Sequence, residues 1–152
     1  MIVGIGVDVV DLARFERALA RTPKLRDRLF SAIEQAPNGR MLHLRSLAGR
    51  FAAKEAFMKA LGESTGVQWH DMQIVADDKG SPSFALSGAA AQLADSKGIA
   101  HVHLSMSHDA GVAVAYVVAE SGHFGQDGSP LRPRPSEMTT VAGSDGADVG
   151  AS

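Results

Sequence analysis

Three groups of residues in this chain are of types that do chemistry. The first is Gly4-x-Gly6-x-Asp8. A dinucleotide-binding fingerprint needs a third glycine at fixed spacing and a helix opening directly after it; Val9 occupies that place, which excludes the reading. An acid in an otherwise apolar strand is costly to bury unless a cation meets it, so Asp8 marks either a strand edge or a site. The second group is the run RFAAKEAFMKALG from Arg50 to Gly62. Glu55 and Lys59 are four apart and share one helix face, with Arg50 and Lys54 on a neighbouring flank. A surface Glu–Lys pair contributes about 0.3–0.5 kcal/mol. That accounts for the pair but not for Ala52, Ala53 and Ala56 around it, which leave room beside the carboxylate for another body. A carboxylate with a lysine one turn away suits a magnesium-bound phosphate: the acid supplies a hard oxygen ligand and the amine neutralises charge. Mg²⁺ usually takes one or two protein carboxylates, and Asp8 with Glu55 meets that count.

The third group is histidine-rich. His101-x-His103 places two imidazoles on one strand face, without a third ligand at metal-site spacing. His108 ends the same strand and opens a glycine-containing turn, a place suited to contacting a phosphate or a base. The run Ser107-His108-Asp109 is not read as a hydrolytic triad, because neighbours on one strand do not converge and no nucleophile elbow is present.

These groups need elements to position them. Ile2 to Val10 alternates with the period of a strand, with Ile5, Val7 and Val9 on one face and Gly4, Gly6, Asp8 and Val10 on the other. Asp11 caps a helix running to about Arg21, with Leu12, Phe15 and Leu19 as its buried stripe. Pro23 closes it, and Leu25 to Ile33 reads as one short helical turn. Ser31 to Arg45, containing Ala36-Pro37-Asn38-Gly39, reads as mostly loop. Leu42 to Leu61 is the longest helix, ended by Gly62. Met72–Ala76 and Ser83–Leu86 flank the turn residues Asp77 to Pro82 as a hairpin, and an Ala-rich helix follows to Lys97. Val102–Ser107 and Val112–Val118 form a second hairpin. Two antiparallel pairs with interspersed helices make the fold class α+β.

The chain has 152 residues, 45% of them hydrophobic and 21% charged, with a net charge of −2. Residues 1–120 are expected to fold as one domain. From Ser121 to Ser152, 14 of the 32 residues are Gly, Pro or Ser, so that stretch is expected to be a disordered tail. No apolar run is long enough to span a bilayer, and the opening MIVGIGVDVVD does not resemble a secretory signal. With no cysteines, disulfides and thiolate chemistry are excluded. The expectation is a cytoplasmic protein without a membrane partner. Charge is uneven: residues 1–59 carry net +5 and residues 60–120 net −5. A basic half of this kind steers acidic partners. Nucleic acid is not expected as one, since the basic residues lack interleaved aromatics or a binding module.

The segments GIGVDVVDLARFERAL, LAGRFAAKEAFMKALG, WHDMQIVADDKGSPSFALSG and HVHLSMSHDAGVAVAYVVAE, in that order, resemble the holo-[acyl-carrier-protein] synthase family of 4′-phosphopantetheinyl transferases. The resemblance covers about residues 1–120. It implies a 4′-phosphopantetheinyl transferase-like fold, with an antiparallel sheet packed on a long central helix and three chains forming a homotrimer. It implies transfer of phosphopantetheine from coenzyme A to a serine of apo acyl carrier protein, with Mg²⁺, releasing adenosine 3′,5′-bisphosphate. Matched position by position, Asp8 and Glu55 become the metal ligands, and Glu55 and Lys59 the catalytic pair. Arg14 and Arg21 become carrier-protein contacts, and Arg50, Lys54, Gly80, Pro82, Ser107 and His108 coenzyme A contacts. Two other readings use the same residues: a magnesium-dependent diphosphate hydrolase, and a non-catalytic module that binds an acidic carrier.

Overall fold

Among the described residues, the chain folds around the pairing of the first strand with the last. In a computed structural model, which describes residues 1–122, β1 (Ile2–Asp11) runs antiparallel to β5 (Val112–Ser121), and β5 runs antiparallel to β4 (Ile99–Asp109). The sheet order is therefore β1-β5-β4. Ala110 and Gly111 join β4 to β5, both with positive φ (47° and 79°), as a two-residue hairpin turn requires. This hairpin is longer than the sequence suggests. His108 is not a turn residue but lies inside the ladder opposite Ala113, and Asp109 opposite Val112. The apolar run from Val112 and the register with β1 carry pairing out to the two-residue turn.

The two faces of β1 have opposite fates. Its bulky face, with Ile5, Val7 and Val9, is the exposed one; with Tyr116 of β5 these residues are 44% to 58% exposed. The face with the small residues packs on helix α4 (Leu44–Leu61). A Cβ at Gly4 would collide with the backbone carbonyl of Ala60, and one at Gly6 with that of Ala56. The strand advances two residues, about 6.6 Å, while the helix retreats four, about 6 Å, so the two backbones stay in step. Ala113, Ala115, Val117 and Ala119 of β5 continue the same inner face and are fully buried. The alanines of α4 thus serve close packing on the sheet: Ala52, Ala53 and Ala56 are fully buried and leave no room for a ligand, contrary to the reading from sequence.

Helix α1 (Leu12–Arg21) begins as expected, with Asp11 Oδ1 accepting from the Arg14 N–H at 2.7 Å and Phe15 buried. The stretch after it differs from expectation. Instead of one turn there are two short helices, α2 (Leu25–Leu29) and α3 (Ala32–Gln35), separated by extended Phe30. Ser31 and Glu34 form a reciprocal capping box that starts α3, and a 3₁₀ turn (Pro37–Gly39) follows, so this region is more ordered than a loop. Gly62, at φ 76°, ends α4 as predicted. After a 3₁₀ turn at Trp69–Asp71, β2 (Met72–Ala76) and β3 (Pro82–Leu86) pair as a separate two-stranded sheet, followed by α5 (Gly88–Ser96). The architecture is α+β with antiparallel sheets. Beyond Gly122, the expected tail lies outside the described residues. Among the described residues, no helix is long and apolar enough to cross a membrane.

Candidate active site

Because Gly4 and Gly6 lie over Ala60 and Ala56, the next inner-facing residue of β1 comes level with the preceding turn of α4. That residue is Asp8, and the turn carries Glu55. Both line one cleft of about 470 Å³, together with Arg14, Phe15 and Ala18 of α1 and Phe51 of α4. Lys59 holds Asp8: its Nζ donates to Asp8 Oδ1 at 2.8 Å and to the Val7 carbonyl at 2.9 Å. Asp8 is largely buried and Lys59 half exposed. The glycine-spaced strand and the i, i+4 helix pair, 47 residues apart in sequence, therefore meet as one acidic and basic group.

Partial burial pushes the Glu55 carboxyl above the ordinary carboxylate range, and the nearby charge of Asp8 pushes it further; Lys59 pulls the other way. A carboxyl raised in this way beside a second carboxylate is suited to sharing a cation with it. Among the described residues, no three of His, Asp and Glu converge on one point, so protein ligands here would number the two that Mg²⁺ commonly takes.

Arg14 stands on the rim of this cleft, and Arg21 is exposed at the far end of the same helix. The remaining assigned positions do not line it within one chain. Gly80, at φ 83°, sits in the β2–β3 turn, where Asp77 accepts from the Lys79 and Ser81 N–H groups, and Pro82 begins β3. His108 and Ser107 alternate across β4: His108 is on the α4 side in register with Val10, and Ser107 on the exposed side. That alternation also bears out the rejection of a Ser-His-Asp triad. Arg50 is partly buried, its Nε has no partner, and its Nη1 reaches the Ser46 carbonyl only at 3.4 Å. Burial lowers its pKa from the ordinary arginine value, against the pull of Glu34. A guanidinium so poorly satisfied has donors left for an anion.

Lys54 requires a correction. Its side chain is fully buried, and its Nζ donates to Glu34 Oε2 at 2.9 Å, to the Leu29 carbonyl at 2.7 Å and to the Trp69 carbonyl at 2.9 Å. An ammonium has three N–H bonds, all used here, so none is left for coenzyme A. Sequence reasoning also missed Glu34, whose second oxygen accepts from the Ile74 N–H at 3.0 Å. Two signals were present. Leu47, Lys54 and Leu61 recur every seven residues, placing the lysine on the buried stripe of α4, and Ser31-x-x-Glu34 is a capping-box pattern. The histidines His101 and His103 stack at 6.3 Å between ring centroids, and His103 Nε2 meets Glu120 Oε2 at 3.0 Å.

Comparison with known proteins identifies the family. The sequence profile described as the 4′-phosphopantetheinyl transferase superfamily matches residues 4–117. A holo-[acyl-carrier-protein] synthase of Leifsonia xyli subsp. xyli is 61% identical over 120 residues, 79% of this chain and 98% of that protein. The crystal structure of a holo-[acyl-carrier-protein] synthase from Neisseria meningitidis superposes with a TM-score of 0.70 at 36% identity, over 80% of this chain and 100% of that one. A holo-(acyl-carrier-protein) synthase from Bacillus anthracis, solved in complex with CoA (3′,5′-ADP), superposes with a TM-score of 0.65 at 36% identity, over 80% of this chain and 98% of that one. The matched span holds β1 with Asp8, α4 with Glu55 and Lys59, and both hairpins, and on that ground the chain belongs to the 4′-phosphopantetheinyl transferase superfamily.

Proposed function

We propose that this chain is a magnesium-dependent holo-[acyl-carrier-protein] synthase that works as a homotrimer in the cytoplasm. The reaction transfers 4′-phosphopantetheine from coenzyme A to a serine of apo acyl carrier protein. The serine Oγ forms a bond to the phosphorus bearing the pantetheine arm, and the bond from that phosphorus to the departing nucleotide oxygen breaks, releasing adenosine 3′,5′-bisphosphate. The carrying observation is the meeting of Asp8 and Glu55 in one cleft beside a basic helix, with Lys59 bonded to Asp8. It is supported by the names of the close relatives and by the coenzyme A complex of the Bacillus anthracis protein.

Asp8 and Glu55 would hold Mg²⁺, whose charge offsets that of the coenzyme A diphosphate. Lys59, half exposed and tethered through Asp8, is placed to neutralise charge on the reacting phosphate. Glu55, or a water on the ion it would help to hold, would take the serine proton. Arg14 and Arg21 supply the positive face for an acidic carrier. Arg50, Gly80, Pro82, Ser107 and His108 are retained as coenzyme A contacts. Since several do not line the cleft of their own chain, a neighbouring subunit would present them. The exposed apolar face of Ile5, Val7, Val9 and Tyr116 supports such an assembly, for it is the kind of contiguous patch that soluble chains cover.

The test is the intact mass of an apo carrier protein after incubation with coenzyme A, Mg²⁺ and this protein. A gain equal to the phosphopantetheine arm supports the reading. Coenzyme A cleavage at the same rate without carrier would favour the hydrolase instead, and carrier binding without covalent product would leave only a binding module.

A further inference from the structure

The buried ion pair of Glu34 and Lys54 has no part in the chemistry above, yet it is built with unusual completeness. Every N–H of the Lys54 ammonium has an acceptor, and both Glu34 oxygens are occupied: one by Lys54 and the Ser31 N–H, the other by the Ile74 N–H. The Lys54 ammonium also sits 5.3 Å from the centre of the Phe30 ring. Two fully buried charges of this kind give little net stability over an apolar pair of the same size, so what they fix matters more than what they contribute.

What they fix is a wall. Leu29 closes α2, and Trp69 opens the turn before β2; Lys54 holds the carbonyl of each against α4. The same two residues line an apolar recess of about 270 Å³, completed by Leu25 and Arg28 of α2 and by Phe15 and Phe51. Phe15, Ala18 and Phe51 also line the cleft of Asp8 and Glu55, so the recess continues that cleft underneath α1. The Phe51 ring stacks on Phe15 at 5.4 Å and meets Trp69 at 5.6 Å, making one aromatic floor. Arg28 lines the recess and Arg14 the adjoining cleft, so an acidic protein acceptor would find a positive charge beside each.

We propose that Glu34 and Lys54 are positioning residues: together they hold the Leu29 and Trp69 wall of this recess in place and so set recognition of the protein acceptor, leaving coenzyme A binding and the transfer step to Asp8, Glu55 and Lys59. The inference rests on the carrier-protein reading above for its kinetic part only.

Trp69 is the only tryptophan in the chain, so its fluorescence reports the wall directly. A single replacement would strand the partner's charge in the interior and risk unfolding, so the variant is the double change Glu34→Gln with Lys54→Met, which removes both charges and closely keeps side-chain volume. The expected result is a cooperatively melting protein in which acrylamide quenches Trp69 at least about twofold more strongly, since the wall opens locally. The KM for carrier should rise roughly tenfold while the KM for coenzyme A and kcat stay near wild type. A folded double variant with unchanged quenching overturns the proposal. So does an equal rise in both KM values, or a fall confined to kcat, since a merely structural role would not separate the two substrates. The quenching measurement needs no substrate, and therefore decides the wall's dependence on the pair even for a chain that modifies no carrier.

Discussion

Replacing Gly6 by alanine is the sharpest probe of how the fold makes the site. Two effects compete. Alanine restricts the unfolded chain, which on its own stabilises by about 0.4–1 kcal/mol where the backbone accepts it, and an extended strand residue does accept it. Against that, the new Cβ lands on the backbone carbonyl of Ala56. Overpacking a core costs about 1–3 kcal/mol, and the upper end applies because a helix backbone cannot rotate away as a side chain can. The net loss of roughly 2 kcal/mol corresponds to a melting temperature lower by something on the order of 10 °C for a fold of this size. Relief requires α4 to lift from β1 by about an ångström, and displacement of that order costs about 10²-fold in rate when reacting groups sit on the moving part. Glu55 is one residue before Ala56, so carrier modification followed by intact mass, at a temperature where the variant remains folded, should fall by that factor. The obstacle is main chain, so Ala56→Gly should not rescue Gly6→Ala. A variant melting within a degree of wild type at full activity, or one rescued by Ala56→Gly, would refute the backbone-to-backbone account.

Glu55→Gln should lower the rate of carrier modification by orders of magnitude with the fold intact. Because burial and Asp8 raise the Glu55 pKa in the folded state above its unfolded value, its ionisation opposes folding once pH exceeds that range. In metal-free buffer the same variant should therefore melt higher than wild type at neutral pH, with the gain fading as pH falls through the raised folded-state pKa and gone below the ordinary glutamate value; a gain that grows toward acid would contradict the sign. Arg14→Glu should raise the apparent KM for carrier far more than that for coenzyme A, and equal effects would remove Arg14 from docking. Val7→Glu on the exposed face of β1 should leave the melt of the isolated chain nearly unchanged but reduce the sedimenting mass from three chains to one; a trimer unaffected by that charge would place the interface elsewhere.

The sequence was most informative where a short-range rule decides the outcome. Asp11 as the cap of α1, Gly62 as the end of α4 and the spacing of Glu55 and Lys59 are each settled within a turn or two of helix, and each stands in the structure as read. The pairing of Asp8 with that helix was legible only as a chemical need for a cation beside a buried acid, and the family likeness supplied the rest. What failed depended on neighbours distant in the chain. Lys54 looked like a flank residue available to a phosphate, because its acceptors come from Leu29, Glu34 and Trp69, which reach it only through tertiary packing. The alanines of α4 looked like space, because a single helix does not reveal that a glycine-bearing strand fills it. His108 looked like a turn residue, since the length of the β4–β5 ladder is set by pairing across strands.

One strand ties these features together through the alternation of its faces. Had the bulky residues of β1 faced α4, Ile5 and Val7 would hold the helix at an ordinary interaxial distance, and a side chain as short as aspartate at position 8 would have to span several ångströms more to meet a partner on it. Placing glycines inward brings the helix down onto the strand backbone, so that Asp8 reaches Lys59 at 2.8 Å and shares a cleft with Glu55. The same alternation leaves Ile5, Val7 and Val9 on the open side of the sheet, where an unpartnered monomer gains nothing from them. In the proposed trimer these are one design constraint: the residues excluded from the helix contact become the ones available for subunit contact. A one-residue register slip of β1 would therefore not weaken the site and the assembly by degrees. It would turn Asp8 outward and the valines inward at once, abolishing the close helix contact and the apolar subunit face together.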